Sequence, residues 1–337
     1  MHRRRVLTPL VATATAVGLA VAIGACSAPD DSAAPSSSIS AEPNALPVTI
    51  DHRYGDTTID ATAARIATLG PGDGDTLLAL GITPTTMVPF SDPTEKTVIA
   101  PWNEKMLEGK EPVVLGQGSQ DLSSAIPKAL ATDPDLILAV NNAVTQSQYD
   151  NLAKVAPTVV RPAQYQDWTV PWTASTTEIG RAVGKPAETA KLISDTQRGF
   201  ADAKAANPQL AGRTGAVVIG SAGGGLSIYS PGDGRGQMLT NLGLEFPASL
   251  QPSITNGFYG SISDENLGLL GGLDKLVVVD WQGSTDALRA NPAFMNLDVV
   301  KRGDVVFLDQ VTGSAMSVPT VLTIPWVLQK LVPQLAS

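Results

Sequence analysis

Residues 187–206, Ala-Glu-Thr-Ala-Lys-Leu-Ile-Ser-Asp-Thr-Gln-Arg-Gly-Phe-Ala-Asp-Ala-Lys-Ala-Ala, form the longest uninterrupted helical stretch of the chain, bounded by Pro186 and by Asn207-Pro208. Proline is tolerated at a helix start and stops a helix beyond its end, so both limits are marked. At 1.5 Å rise per residue such a helix is about 30 Å long, the width of a small domain. In the middle of the chain it reads as a strut between two lobes. On either side of it short apolar runs alternate with helical segments, which is the pattern of parallel sheets flanked by helices. The fold class expected is therefore α/β.

The strands expected before the strut are 65–69, 86–88, 112–115, 136–140 and 158–160, with helices at 75–80, 122–131 and 146–155 between them. Ahead of these, 48–52 and 57–59 flank Tyr54-Gly55-Asp56 and predict a hairpin. After the strut, strands are expected at 216–219, 276–280 and 305–308, and a last helix over 319–335. The domains that follow are a leader at 1–25, a tether at 26–46, a first α/β lobe at 47–186, the helical linker at 187–209 and a second α/β lobe at 210–337.

The leader opens with Arg3, Arg4 and Arg5, runs apolar over 6–23 and reaches Gly24 and Ala25 immediately before Cys26, the only cysteine. That is a secretory signal peptide rather than part of the fold. The apolar run is also long enough to span a bilayer, so an uncleaved anchor is the alternative, disfavoured by a cysteine at the cleavage position. Residues 27–46 are Ser, Ala, Pro and Asp with almost no large apolar side chain, too little to bury for folding.

Removing the three leader arginines leaves 20 basic against 32 acidic residues, a formal charge of −12, which argues against nucleic acid as a partner. No disulfide can form from one cysteine. Only His2 and His52 exist, and His2 leaves with the leader, so most histidine-dependent catalysis and most transition-metal sites are excluded. His52, in the alternation Val48-Thr49-Ile50-Asp51-His52, reads as a strand residue.

The glycine clusters around Gly72, Gly116-Gln117-Gly118, Gly223-Gly224-Gly225 and Gly232-Asp233-Gly234-Arg235-Gly236 lack the P-loop lysine and the third dinucleotide glycine. They read as strand ends where backbone approaches a cleft, with Asp73 or Asp75 capping the next helix. Ser221 follows a strand, but Ile219 stands where a nucleophile elbow needs glycine, and no base histidine follows. Ser124 and Lys128 are one residue too far apart for an SxxK pair. A surface hydrolase is thus the weaker, enzymatic alternative to a binding protein, and no enzyme activity is expected.

Several segments resemble the iron-siderophore substrate-binding lipoproteins of ABC importers. They are Arg65-Ile66-Ala67-Thr68-Leu69-Gly70 with Asp75-Thr76-Leu77-Leu78-Ala79-Leu80-Gly81-Ile82-Thr83-Pro84, Asp121-Leu122-Ser123 with Asp133-Pro134-Asp135-Leu136-Ile137-Leu138, and Ala156-Pro157-Thr158. In the second half they are Tyr229-Ser230-Pro231-Gly232, Ser263-Asp264-Glu265-Asn266-Leu267 and the closing helix. The sequence Ile23-Gly24-Ala25-Cys26 resembles the bacterial lipobox, which implies acylation of Cys26 and anchoring on the extracytoplasmic face of the cell membrane. The resemblance covers nearly everything after the tether. It implies two Rossmann-like lobes joined by a single long backbone helix, with a ferric siderophore held between them and delivered to a permease. Haem, with Tyr259 as axial ligand, is the nearest rival ligand and cobalamin a weaker one. A monomer without a cofactor of its own or a metal site is expected.

Within Phe258-Tyr259-Gly260-Ser261 the resemblance carries Tyr259 to the ligand, and Glu265 to the permease, with Asp150 or Gln146 as the first-lobe counterpart. Ligand sites of open α/β sheets lie at the C-terminal ends of strands, which adds Trp102, Gln117, Asn141 and Trp281, and Arg235 opens a helix where it meets an acidic ligand. Family members that bind hydroxamates place an arginine where this chain has Gly118.

Overall fold

The computed structural model describes residues 39–89, 98–116, 122–221 and 223–337. The hairpin is present as β1 (Val48–His52) and β2 (Gly55–Ile59), paired antiparallel, with Ile50, His52, Thr57 and Ile59 turned inward. The first lobe follows as β3 (Ile66–Thr68), α1 (Asp73–Ala79), β4 (Thr86–Met87), β5 (Val113–Val114), α2 (Leu122–Leu130), β6 (Leu136–Ala139), α3 (Gln146–Leu152) and β7 (Thr158–Val160). Its sheet is wholly parallel in the order β5-β4-β3-β6-β7, so the winding reverses between β3 and β6. All four residues of β6 are buried, as a central parallel strand covered on both faces requires.

Two helices then lead across: α4 (Trp172–Ala182) and α5 (Pro186–Ala206). The strut expected at 187–206 is α5, with Pro186 in its first turn. Thr189, Thr196 and Phe200 form its buried face, at spacings that keep them on one side. It packs against α4 and against the last helix of the chain.

The second lobe contains β8 (Gly215–Gly220), β9 (Leu226–Tyr229), α6 (Gly234–Asn241), β10 (Tyr259–Ile262), β11 (Lys275–Val279), α7 (Ser284–Ala290), α8 (Pro292–Met295), α9 (Asp298–Lys301), β12 (Val305–Leu308), α10 (Gln310–Ser317) and α11 (Thr323–Leu335). The sheet order is β10-β9-β8-β11-β12; β8, β11 and β12 are parallel, and β9 runs antiparallel to both its neighbours. Residues 38–337 form one compact unit. No described helix is long and apolar enough to cross a membrane.

The last residues expected in the tether are instead held by the first lobe. Ile39 and Leu46 pack against its core, and both oxygens of Glu42 accept the free amides of Ala187 (2.8 Å) and Glu188 (2.7 Å) at the start of α5. A carboxylate at a helix N-terminus satisfies orphan donors and complements the helix dipole.

Candidate functional site

The first-lobe wall is built where the sheet reverses. Neither Asp73 nor Asp75 caps α1, as the sequence had led us to expect; Gly72, in left-handed backbone at φ 81°, occupies the cap position. Asp73 turns back to accept the amides of Val140 (2.8 Å) and Asn141 (3.2 Å), fastening the loop after β6 to the start of α1. Gly70 leaves room for that carboxylate, since a Cβ there would lie 2.3 Å from Asp73 Oδ2. Asn141 completes the corner by donating to the Pro71 carbonyl at 2.8 Å.

Asp75 lies where the lobes meet. It accepts from Asn103 Nδ2 at 3.2 Å in its own lobe and from Thr320 Oγ1 at 3.2 Å in the other. Both Asp73 and Asp75 are wholly buried, and desolvation raises each carboxyl to about 7 against the hydrogen bonds that pull it down. Trp102 stacks edge-on to Trp326 of α11, ring centroids 5.4 Å apart, and Leu322 packs on the cluster of Leu78, Met87 and Leu107.

A cavity of about 650 Å³ opens between the lobes, lined by the first-lobe residues Arg53, Arg161, Tyr165, Asp167 and Trp168 and by Asn256, Gly257 and Phe258 of the second. Its size suits a small-molecule ligand. Trp168 also lines a narrow neighbouring cavity with Gly72, Asn141, Trp172, Gly234 and Thr320, so it sits at the junction of the two. It is only partly buried, and its backbone is left-handed at φ 66°. A bulky residue there is a steric outlier costing about 1–3 kcal/mol, and strain of that kind concentrates at ligand clamps.

The second-lobe wall is an aromatic stack. Phe258 lies against Tyr259 with centroids 4.9 Å apart, and Tyr259 against Tyr229 at 6.4 Å. The Arg235 guanidinium covers the Tyr229 ring at 4.0 Å while binding both Asp233 oxygens at 3.0 and 2.9 Å. The charge of Arg235, expected to meet an acidic ligand, is thus already matched by a buried carboxylate.

Of the residues expected at a site, Asn141 lines the narrow cavity. Tyr259 backs Phe258, which itself reaches the wide cavity. Trp102 and Trp281 line neither and pack against the second-lobe core. Gln117 and Cys26, together with Gly118 and Asp121, lie outside the described residues. Asp150 and Glu265 are both exposed, the first on α3 and the second in a 3-10 turn, Asp264–Leu270. His52 is buried, bonds Thr57 Oγ1 at 2.9 Å, and has its basicity lowered by burial, which suits a neutral packing residue. Trp168, Arg53 and Arg161 were not singled out in the sequence. A tryptophan in the polar loop after β7 was the available sign.

Two α/β lobes joined through the long helix α5, with a cleft lined by both, make the architecture of a solute-binding protein. The chain belongs to the periplasmic binding protein family, whose model matches residues 66–312. It is 28% identical over 280 residues to the "Putative ABC transporter substrate-binding lipoprotein YhfQ" of Bacillus subtilis, covering 79% of this chain and 82% of that one. It is 29% identical over 184 residues to the ferric enterobactin-binding periplasmic protein FepB of Escherichia coli, covering 52% of this chain and 57% of FepB. The structure of Staphylococcus aureus SirA complexed with staphyloferrin B superposes with a TM-score of 0.71 at 25% identity, over 86% of this chain and 98% of that one.

Proposed function

We propose that this chain captures a ferric siderophore and delivers it to an ABC permease, held at the membrane through acylated Cys26. The observation that carries the reading is the wide cavity with Trp168 and Phe258 on opposing lobes, a preformed pocket that recognises the organic shell of a chelate. Iron that arrives chelated needs no protein ligand, which agrees with a single histidine after the leader. FepB and SirA supply the chemical precedent. Titration of the tryptophan emission of the full chain in detergent micelles against ferric catecholate, carboxylate and hydroxamate siderophores and haem tests it. Saturable quenching by a ferric siderophore is expected. Saturation by haem alone, with a Soret band lost in Tyr259→Phe, would replace the ligand.

Delivery places Glu265 at the permease. Glu265→Arg abolishes uptake in cells while leaving ligand affinity unchanged, because reversing an exposed rim charge penalises docking and not the cleft. Parallel loss of uptake and affinity would assign Glu265 to the fold instead.

Anchoring depends on Cys26, the only thiol. Cys26→Ser is expected to appear in the soluble fraction or as an uncleaved precursor of higher mass. Mature-size protein still sedimenting with membranes would rule out the acyl anchor.

A further inference from the structure

The charges of the wide cavity distinguish among siderophore chemistries. Its charged lining is two guanidinium groups, Arg53 and Arg161, and one carboxylate, Asp167, a local excess of one positive charge in a chain that is strongly acidic after its leader. The two arginines are not equivalent. Arg161 has a side chain 5% exposed, binds Asp167 Oδ1 through Nε at 2.5 Å and gives a second hydrogen bond to the Tyr165 carbonyl. Its charge is spent on the wall.

Arg53 is held for a different use. Its amide donates to the Arg161 carbonyl at 3.0 Å, which pins the turn of the β1–β2 hairpin beside the loop after β7. Its guanidinium lies over the Tyr54 ring at 5.5 Å and stands 3.7 Å from Asp167 Oδ1, beyond hydrogen-bond distance, on an oxygen that Arg161 already occupies. With 45% of its side chain exposed, it presents donors to the cavity at little cost in desolvation. The second-lobe lining, Asn256, Gly257 and Phe258, adds no charge of either sign.

We infer that the ligand is an anionic ferric chelate of the catecholate or carboxylate type, with Arg53 as the cation that selects it over neutral trihydroxamate chelates. This rests on the siderophore reading above and narrows it. A ferric ion surrounded by three catecholates, or by carboxylate and hydroxycarboxylate arms, keeps net negative charge on outward oxygens. Planar guanidinium donors match such oxygens, whereas a ferric trihydroxamate is neutral and gives them only its carbonyl edges.

Fluorescence titration of the full chain in detergent micelles with ferric enterobactin, ferric staphyloferrin B and ferrichrome tests the inference, repeated on Arg53→Gln and Arg53→Lys with melting curves for each. At least one anionic chelate is expected to bind wild type more tightly than ferrichrome. Arg53→Gln is expected to weaken that chelate about tenfold to hundredfold with an unchanged thermal midpoint, and Arg53→Lys to recover part of the loss. Tighter binding of ferrichrome, or an Arg53→Gln variant with wild-type affinity for the anionic chelates, would overturn the charge selection while leaving the siderophore reading in place. Failure of all three chelates to bind would overturn both.

Discussion

The thermal midpoint falls by on the order of 10 °C as pH rises from about 5 to about 8, opposite to a protein whose carboxylates are stabilised by ion pairs. Asp73 and Asp75 have no exposed surface, and burial lifts both from 3.8 to about 7. Between those values the folded chain holds protons that the unfolded chain has released. The free energy of unfolding therefore declines through that window and levels off above it. A shift of this size is worth at most about 4 kcal/mol for each group, and a protein of this length converts 1 kcal/mol into roughly 2 °C. Asp274 acts the other way, its carboxyl held below the ordinary range by the Thr214 amide and hydroxyl, but that contribution is lost only below about pH 4. Melting curves across the range, read by circular dichroism, should show the slope in wild type and a shallower one in Asp75→Asn. A midpoint that holds steady or climbs toward pH 8 would show that both carboxyls ionise freely in the fold.

The second large effect separates two half-buried tryptophans. Trp168→Ala removes an aromatic wall from the wide cavity, so affinity for a ferric siderophore should fall about tenfold to hundredfold, while the thermal midpoint changes little because the side chain is only partly buried. Trp102→Ala should do the reverse. Its ring packs on Trp326 across the lobe boundary, so its loss destabilises by about 3 kcal/mol or more and leaves the affinity of the folded fraction near wild type. Measuring midpoint and affinity on both variants decides the matter. Two variants with the same pattern would mean that cleft and interface have been wrongly divided.

Much of the frame is legible in the chain because parallel strands covered on both faces must be continuous apolar runs, as at 136–139 and 276–279. The strut is legible because prolines mark its ends. The antiparallel strand β9 and the edge strand β10 are not: Leu-Ser-Ile-Tyr and Tyr-Gly-Ser-Ile are short, partly exposed and polar at alternate positions, and only the pairing of β9 on β8 and of β10 on β9 gives them form. Helix α4 is hidden by its threonines and serine, which favour turns when isolated and are tolerated here because Trp172, Thr176 and Ile179 find buried neighbours. The site was legible at the level of strand ends and not of side chains. Trp102, expected at a strand end, lies instead in a turn just ahead of the 3-10 segment Glu104–Met106, and its partner across the lobes, Trp326, decides where its ring points. Arg53, Trp168 and Phe258 converge from three separate stretches of chain, and no local pattern announces that meeting.

Locating the metal itself is the most direct test. Crystals of the protein grown with a ferric siderophore and measured at the iron absorption edge should show a single anomalous peak inside the cavity bounded by Trp168 and Phe258, with the chelate oxygens facing Arg53. A peak at any other surface, or protein crystallising without iron from saturating chelate, would contradict ligand capture in this cleft.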